Sequence, residues 1–163
     1  AGYNDFALFE QQDPTAIQRL FALNTLLPIL LTRALLPRLT PQARLVYVGS
    51  TLGAIGYPGY AAYGASKAAI SYFADSLRVD LHDTGIKVCL IEPGFIDTPL
   101  TQKNDFAMPF LMPVAQAAER IYSGIAAGKP RLRFPRRLSL MLKLLSALPY
   151  GLRIKLANRM KQQ

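Results

Sequence analysis

Ser50, Tyr63 and Lys67 fall within the stretch "YVGSTLGAIGYPGYAAYGASKAAI", residues 47 to 70, where an apolar segment gives way to a helical pattern. Tyr63 and Lys67 are four residues apart, so on a helix they share one face, a turn from each other. An ammonium beside a phenol favours the phenolate and lowers its pKa. That would fit Tyr63 to give and take a proton near neutral pH. A hydroxyl at the end of the preceding strand could then hold the substrate oxygen, and Ser50 is so placed. Taken alone the pair is a weak sign. The chain holds eight tyrosines, so a Lys four residues after one of them is common by chance, and the pair could equally be a solvated helix face.

The elements that must position these groups can be read around them. Asp13-Pro14 supplies an N-cap and a pre-set first helical residue, and Ile17, Leu20, Phe21, Asn24 and Leu27 then recur at helical spacing toward Pro37. "RLVYVGS" is a short β-branched run that reads as a buried strand. A second long helix follows from Tyr60, stopped by Gly85, and "IKVCLIEPG" is another buried strand broken at Pro93-Gly94. Beyond it the pattern predicts a helix near 113 to 127, a strand at "RLRF", and an apolar, basic helix pair split near Pro149-Gly151. Strands alternating with long helices imply an α/β fold with parallel pairing. In such a sheet ligands sit beyond the carboxyl ends of the strands, which puts Ser50 and Pro93-Gly94 on one rim.

Composition narrows the class. With 51% hydrophobic residues and 163 residues in all, the chain can bury a core. Cys89 is the only cysteine, which excludes an internal disulfide and a multi-cysteine metal site and fits a reducing compartment. No metal site is expected. The longest apolar region, "LFALNTLLPILLTRALL", contains Asn24, Pro28 and Arg33, which argues against a spanning segment. Net charge is +9, yet residues 1 to 128 hold 9 basic and 10 acidic side chains, and residues 129 to 163 hold 10 basic and none acidic. The basicity belongs to the tail.

The order of apolar strand, Ser50, Tyr63, Lys67, helix, apolar strand and then Pro93-Gly94-Phe95-Ile96-Asp97-Thr98 resembles the short-chain dehydrogenase/reductase family. That family carries a strand-borne Ser, a YxxxK helix and a PGxxxT loop in this order. The resemblance covers about residues 1 to 105. It implies a partial Rossmann-like, doubly wound parallel sheet holding the family's fifth to seventh strands with their helices. It further implies NAD or NADP as cofactor and interconversion of an alcohol with a ketone or aldehyde. Ser50 would bond the substrate oxygen, Tyr63 would transfer the proton, and Lys67 would lower the phenol's pKa and hold the nicotinamide ribose. Pro93, Gly94, Ile96 and Thr98 match the loop that meets the nicotinamide carboxamide, and Ala1-Gly2 looks like the end of the family's NNAG motif. Asn24 matches the helix asparagine that anchors a relay water; an ordinary buried contact is the other reading. Pro28 bears on it, because it offers no N–H to the Asn24 carbonyl.

One departure from the family is large. The Gly-rich TGxxxGxG turn does not occur in the sequence, and "GSTLGAIG" is a weak imitation of it. Two functions therefore compete: an oxidoreductase whose cofactor-binding front precedes Ala1, and a silent module that pairs through its two long helices. The family resemblance implies a homodimer or homotetramer through those helices. On the first reading the 163-residue chain by itself should be poorly soluble or oligomeric and lack measurable NAD(P)H affinity. The organisation expected is a catalytic part over residues 1–128 and a basic helical extension over 129–163. The extension suits anionic lipid, a lid over a lipophilic substrate, or plain core covering; nucleic acid is not expected, since few aromatics accompany the charges. The expected setting is cytoplasmic, with the tail as the point of peripheral membrane contact. The apolar loop after Thr98 fits a small hydrophobic alcohol or ketone.

Overall fold

In the computed structural model of the protein, which describes residues 3, 6–102 and 108–159, the two apolar runs form parallel strands. These are β1 (Arg44–Val48) and β2 (Lys87–Pro93), paired from Arg44 opposite Lys87 to Val48 opposite Ile91. A third parallel strand, β3 (Arg131–Phe134), lies on the other side of β2 and gives the order β1-β2-β3. β2 is central, and residues 88–92 are buried on both faces. That is why this segment is a continuous apolar run and not an alternating one.

The helices between the strands cover opposite faces. α3 (Ala61–Asp80) joins β1 to β2 and closes a core of Tyr47, Ile70, Ala74, Leu77, Val88 and Leu90. α4 (Val114–Ala126) joins β2 to β3 and covers Cys89, Ile91, Met112, Leu132 and Phe134 from the other side. The sheet is thus wound on both faces, as expected of this class. Gly85 ends the turn after α3 at φ 78°, with its Cα against Pro41, a position that tolerates no side chain.

The N-terminal helix is one long run with a defect. α1 (Pro14–Phe21) starts at Asp13, whose Oδ1 accepts the Thr15 N–H at 3.1 Å. It widens into a π turn over Ala22–Leu26 and resumes as α2 (Leu27–Leu35). The widening coincides with Pro28, which withdraws one helical donor. The run from Pro14 to Arg38 spans 25 residues and holds an 18-residue window with a mean hydropathy of 1.6, enough by length and composition to cross a membrane. In this fold its polar face is used for packing. The Thr25 hydroxyl donates to the Ser66 carbonyl at 3.1 Å, and the Thr32 and Tyr47 hydroxyls share a 2.6 Å bond. Leu26, Leu27, Leu30 and Leu31 remain more than half exposed.

Glu92, 2% exposed, is clamped by two arginines from β3: Arg131 Nε donates at 2.7 Å and Arg133 Nη2 at 2.9 Å. The carboxylate therefore stitches β2 to β3. Because β3 completes the sheet, residues 129–163 are not wholly an appendage. Their remaining elements are α5 (Arg136–Ser146), seated on Ile55 through Leu138 and Leu142, and α6 (Tyr150–Arg159). Among the described residues no strand pairs with the outer edge of β1, where Val46 and Val48 are 39% and 52% exposed.

Candidate active site

The carboxyl ends of β1 and β2 and the first turns of α3 converge on one small cleft, lined by Ser50, Tyr63, Gly94, Phe95, Leu100 and Thr101. Ser50 stands two residues past β1 in extended backbone and is buried. Its Oγ accepts the Leu52 N–H at 3.2 Å, and it lines the cleft together with Tyr63. Lys67 is buried beneath Tyr63, its Nζ donating to the Val48 carbonyl at 3.0 Å and lying 5.7 Å from the Tyr63 ring centre. The structure thus brings the serine, phenol and ammonium together, one strand end and one helix supplying all three. The loop carrying Thr51–Gly53 presses so closely on α3 that a Cβ at Gly53 would lie 2.9 Å from the Lys67 carbonyl carbon. That approach holds Ser50 against Tyr63.

One expectation is corrected. Lys67 was expected to lower the Tyr63 pKa, but the Tyr63 pKa lies above its ordinary value. Burial raises it, and the Ser50 hydrogen bond opposes the rise only in part. The physical reason is placement: the ammonium lies over the ring face, and its own burial brings the Lys67 pKa down to about 8. The lowered lysine pKa has a consequence for stability. The folded state releases the proton near pH 8 and the unfolded chain keeps it to about 10.5, so the penalty is complete below pH 8 and relieved as pH climbs to 10.5. Lys67→Met removes it. The stability of the wild type relative to this variant should therefore rise between pH 7 and 10 by on the order of 3 kcal/mol. Thermal unfolding of both proteins across that range checks it, and parallel curves would refute the assignment.

Asn24 does not face the cleft with a free amide. Its Oδ1 accepts the Tyr3 N–H at 3.0 Å, and its Nδ2 donates to the Tyr3 carbonyl at 2.9 Å and to Ser66 Oγ at 3.3 Å. The side chain pins the backbone at residue 3 to the α3 helix, so the contact reading describes its amide group. Ala1 and Gly2 lie outside the described residues.

The expected cofactor loop follows β2. Pro93 ends the strand, its carbonyl accepting from the Thr51 hydroxyl at 3.3 Å, which ties the two strand ends together. Gly94 donates to the Phe134 carbonyl at 2.7 Å and leaves no room for a Cβ, which would lie 2.6 Å from Leu138. Ile96 bridges to Met112, and Thr98 is locked to Thr101, its N–H bonding Thr101 Oγ1 at 2.9 Å. Thr101 Oγ1 also donates to the Ile96 carbonyl. Thr51, Thr101 and Tyr60 were not singled out in the sequence. Tyr60 is buried and meets the Tyr63 ring edge-on with centres 5.6 Å apart; its spacing of one turn before Tyr63 was the available signal.

The family profile described as short chain dehydrogenase matches residues 1–108. The chain belongs to the short-chain dehydrogenase family. An uncharacterized oxidoreductase of Myxococcus xanthus is 42% identical over 130 residues, covering 78% of this chain and 51% of that protein. The uncharacterized oxidoreductase YbbO of Escherichia coli K12 is 34% identical over 64% of this chain and 44% of its own length. Among solved structures, a short-chain dehydrogenase from Sphingobium yanoikuyae in complex with NADPH superposes with TM-score 0.77 at 26% identity, over 97% of this chain and 62% of that one. A Burkholderia cenocepacia short-chain dehydrogenase in complex with NADP gives TM-score 0.82 over 98% and 67%, and at 24% identity bears on the fold alone. The short-chain dehydrogenase chain described here spans about half the length of the curated relatives it matches.

Proposed function

We propose that the protein interconverts an alcohol and a ketone or aldehyde with NAD or NADP, Tyr63 moving the proton and Ser50 holding the reacting oxygen. The observation that carries this reading is the one cleft that Ser50 and Tyr63 line together, with Lys67 behind the ring. The residues present fit the nicotinamide half of the cofactor. Lys67 Nζ spends one donor on Val48 and has two more for ribose hydroxyls, and Pro93, Gly94, Ile96 and Thr98 belong to the braced loop that begins at the end of β2, of which Gly94 lines the cleft. A bound dihydronicotinamide would supply the hydride. The protein's own part is to hold the carbonyl oxygen between two hydroxyls and to deliver a proton from Tyr63 as the alkoxide develops. The apolar wall of Leu52, Phe95 and Leu100 suits a small hydrophobic substrate.

The test is oxidation of NADPH and of NADH by the purified gene product with a panel of aldehydes and ketones. Ser50→Ala should lower kcat about 10²-fold with a smaller change in KM, because the lost hydroxyl acts most on the charged transition state. Unchanged kcat in that variant would overturn the role of Ser50. No cofactor oxidation with any substrate class would favour the silent module, a reading supported by the exposed leucines of α2 and by Tyr72 and Val79 on α3, 77% and 75% exposed. These faces suit pairing with a second copy, which sedimentation velocity measures directly.

A further inference from the structure

We propose that the outer face of α5 docks the protein on a bilayer containing anionic lipid. The inner face of α5 is fixed, since Leu138 and Leu142 are each 4% exposed and Leu138 packs on Gly94 at the end of β2. At about 100° per residue, Leu140 and Leu144 fall on the opposite side, and they are 59% and 63% exposed. Arg136 and Lys143 flank that apolar stripe on one side and Arg137 on the other, all three exposed. An apolar ridge flanked by cations on both sides suits the boundary of acyl chain and headgroup, where the leucines enter and the cations meet phosphate.

The surroundings carry the same complementarity. Arg136 and Arg137 also line, with Arg120 and Lys129, a polar cleft of about 760 Å³ in which Glu119 is the one acidic residue, roomy enough for a phosphate headgroup. Residues 129–163 contain ten basic and no acidic side chains. On α6, Leu152 and Tyr150 are 47% and 70% exposed beside the exposed Lys155. Nucleic acid would use the cations and leave the leucine ridge in water. Lipid uses both.

The experiment is co-sedimentation of the full gene product with vesicles of phosphatidylcholine alone and with added phosphatidylglycerol. It needs no turnover, so it stands or falls independently of the oxidoreductase reading. At least a tenfold preference for the anionic vesicles is expected. L140E/L144E should lose at least tenfold in partition, and R136Q/R137Q/K143Q should lose the preference for anionic lipid. Both variants change exposed positions, and circular dichroism verifies that they fold. Equal, negligible binding to both vesicles would overturn the proposal, as would wild-type partition by L140E/L144E. A self-association that L140E/L144E dissolves, without vesicle binding, would mean that a second copy covers this face.

Discussion

On the proposed function, Tyr63→Phe is expected to lower carbonyl reduction by the full gene product at least about 100-fold, with the fold intact. The ring keeps its edge-on contact with Tyr60 at 5.6 Å and its place over Lys67 at 5.7 Å, so only the hydroxyl is lost. Burial raises the Tyr63 pKa, which keeps the phenol protonated through neutral pH. On the proposed mechanism reduction needs that proton, so its rate should stay level through neutral pH and fall only in alkali. Alcohol oxidation needs the phenolate and should climb with pH over the same range. Steady-state rates in both directions check this, and near-normal reduction by the Phe variant across the substrate panel would show that another group moves the proton.

Replacing Arg131 and Arg133 together by Met destabilises the protein by roughly 3–5 kcal/mol, because it strands a carboxylate in the sheet. Glu92 is 2% exposed, and without the arginines its nearest remaining donor is the Ser71 hydroxyl at 3.5 Å. The arginines themselves are 44% and 30% exposed, so Glu92→Gln alone leaves them access to water and should cost less. Adding Glu92→Gln to the double variant should restore part of the loss, since the buried charge is gone. Urea unfolding of the four proteins measures the cycle. A double variant within 1 kcal/mol of wild type would show that β3 is held by its backbone ladder and apolar contacts alone.

The parts legible in the sequence were those with a local cause. Asp13-Pro14 starts a helix through its own side chain and ring, and the spacing of Tyr63 and Lys67 fixes their shared face whatever packs around them. The parts that were not legible depend on partners far along the chain. Glu92 meets arginines 39 and 41 residues away, and Asn24 holds a backbone 21 residues away, so no spacing announces either. The direction of the Tyr63 shift belongs to the same class. Proximity to Lys67 is a property of one helix; the desolvation that outweighs it comes from loops closing over the ring, with Leu52, Tyr60 and Phe95 in the same cluster. Pro28 did carry a local signal for the π turn, a missing N–H, though it said nothing of which residues the widened turn would face.

Cys89 sits in the middle of the central strand, 2% exposed, with its thiol pKa pushed up by burial. It is the sole thiol of the chain. Within these 163 residues a disulfide reagent can therefore act at one atom only, and only after β2 parts from its neighbours. The labelling half-time, compared with that of an unfolded control, becomes a clock for the opening of the innermost strand, readable without any probe being introduced.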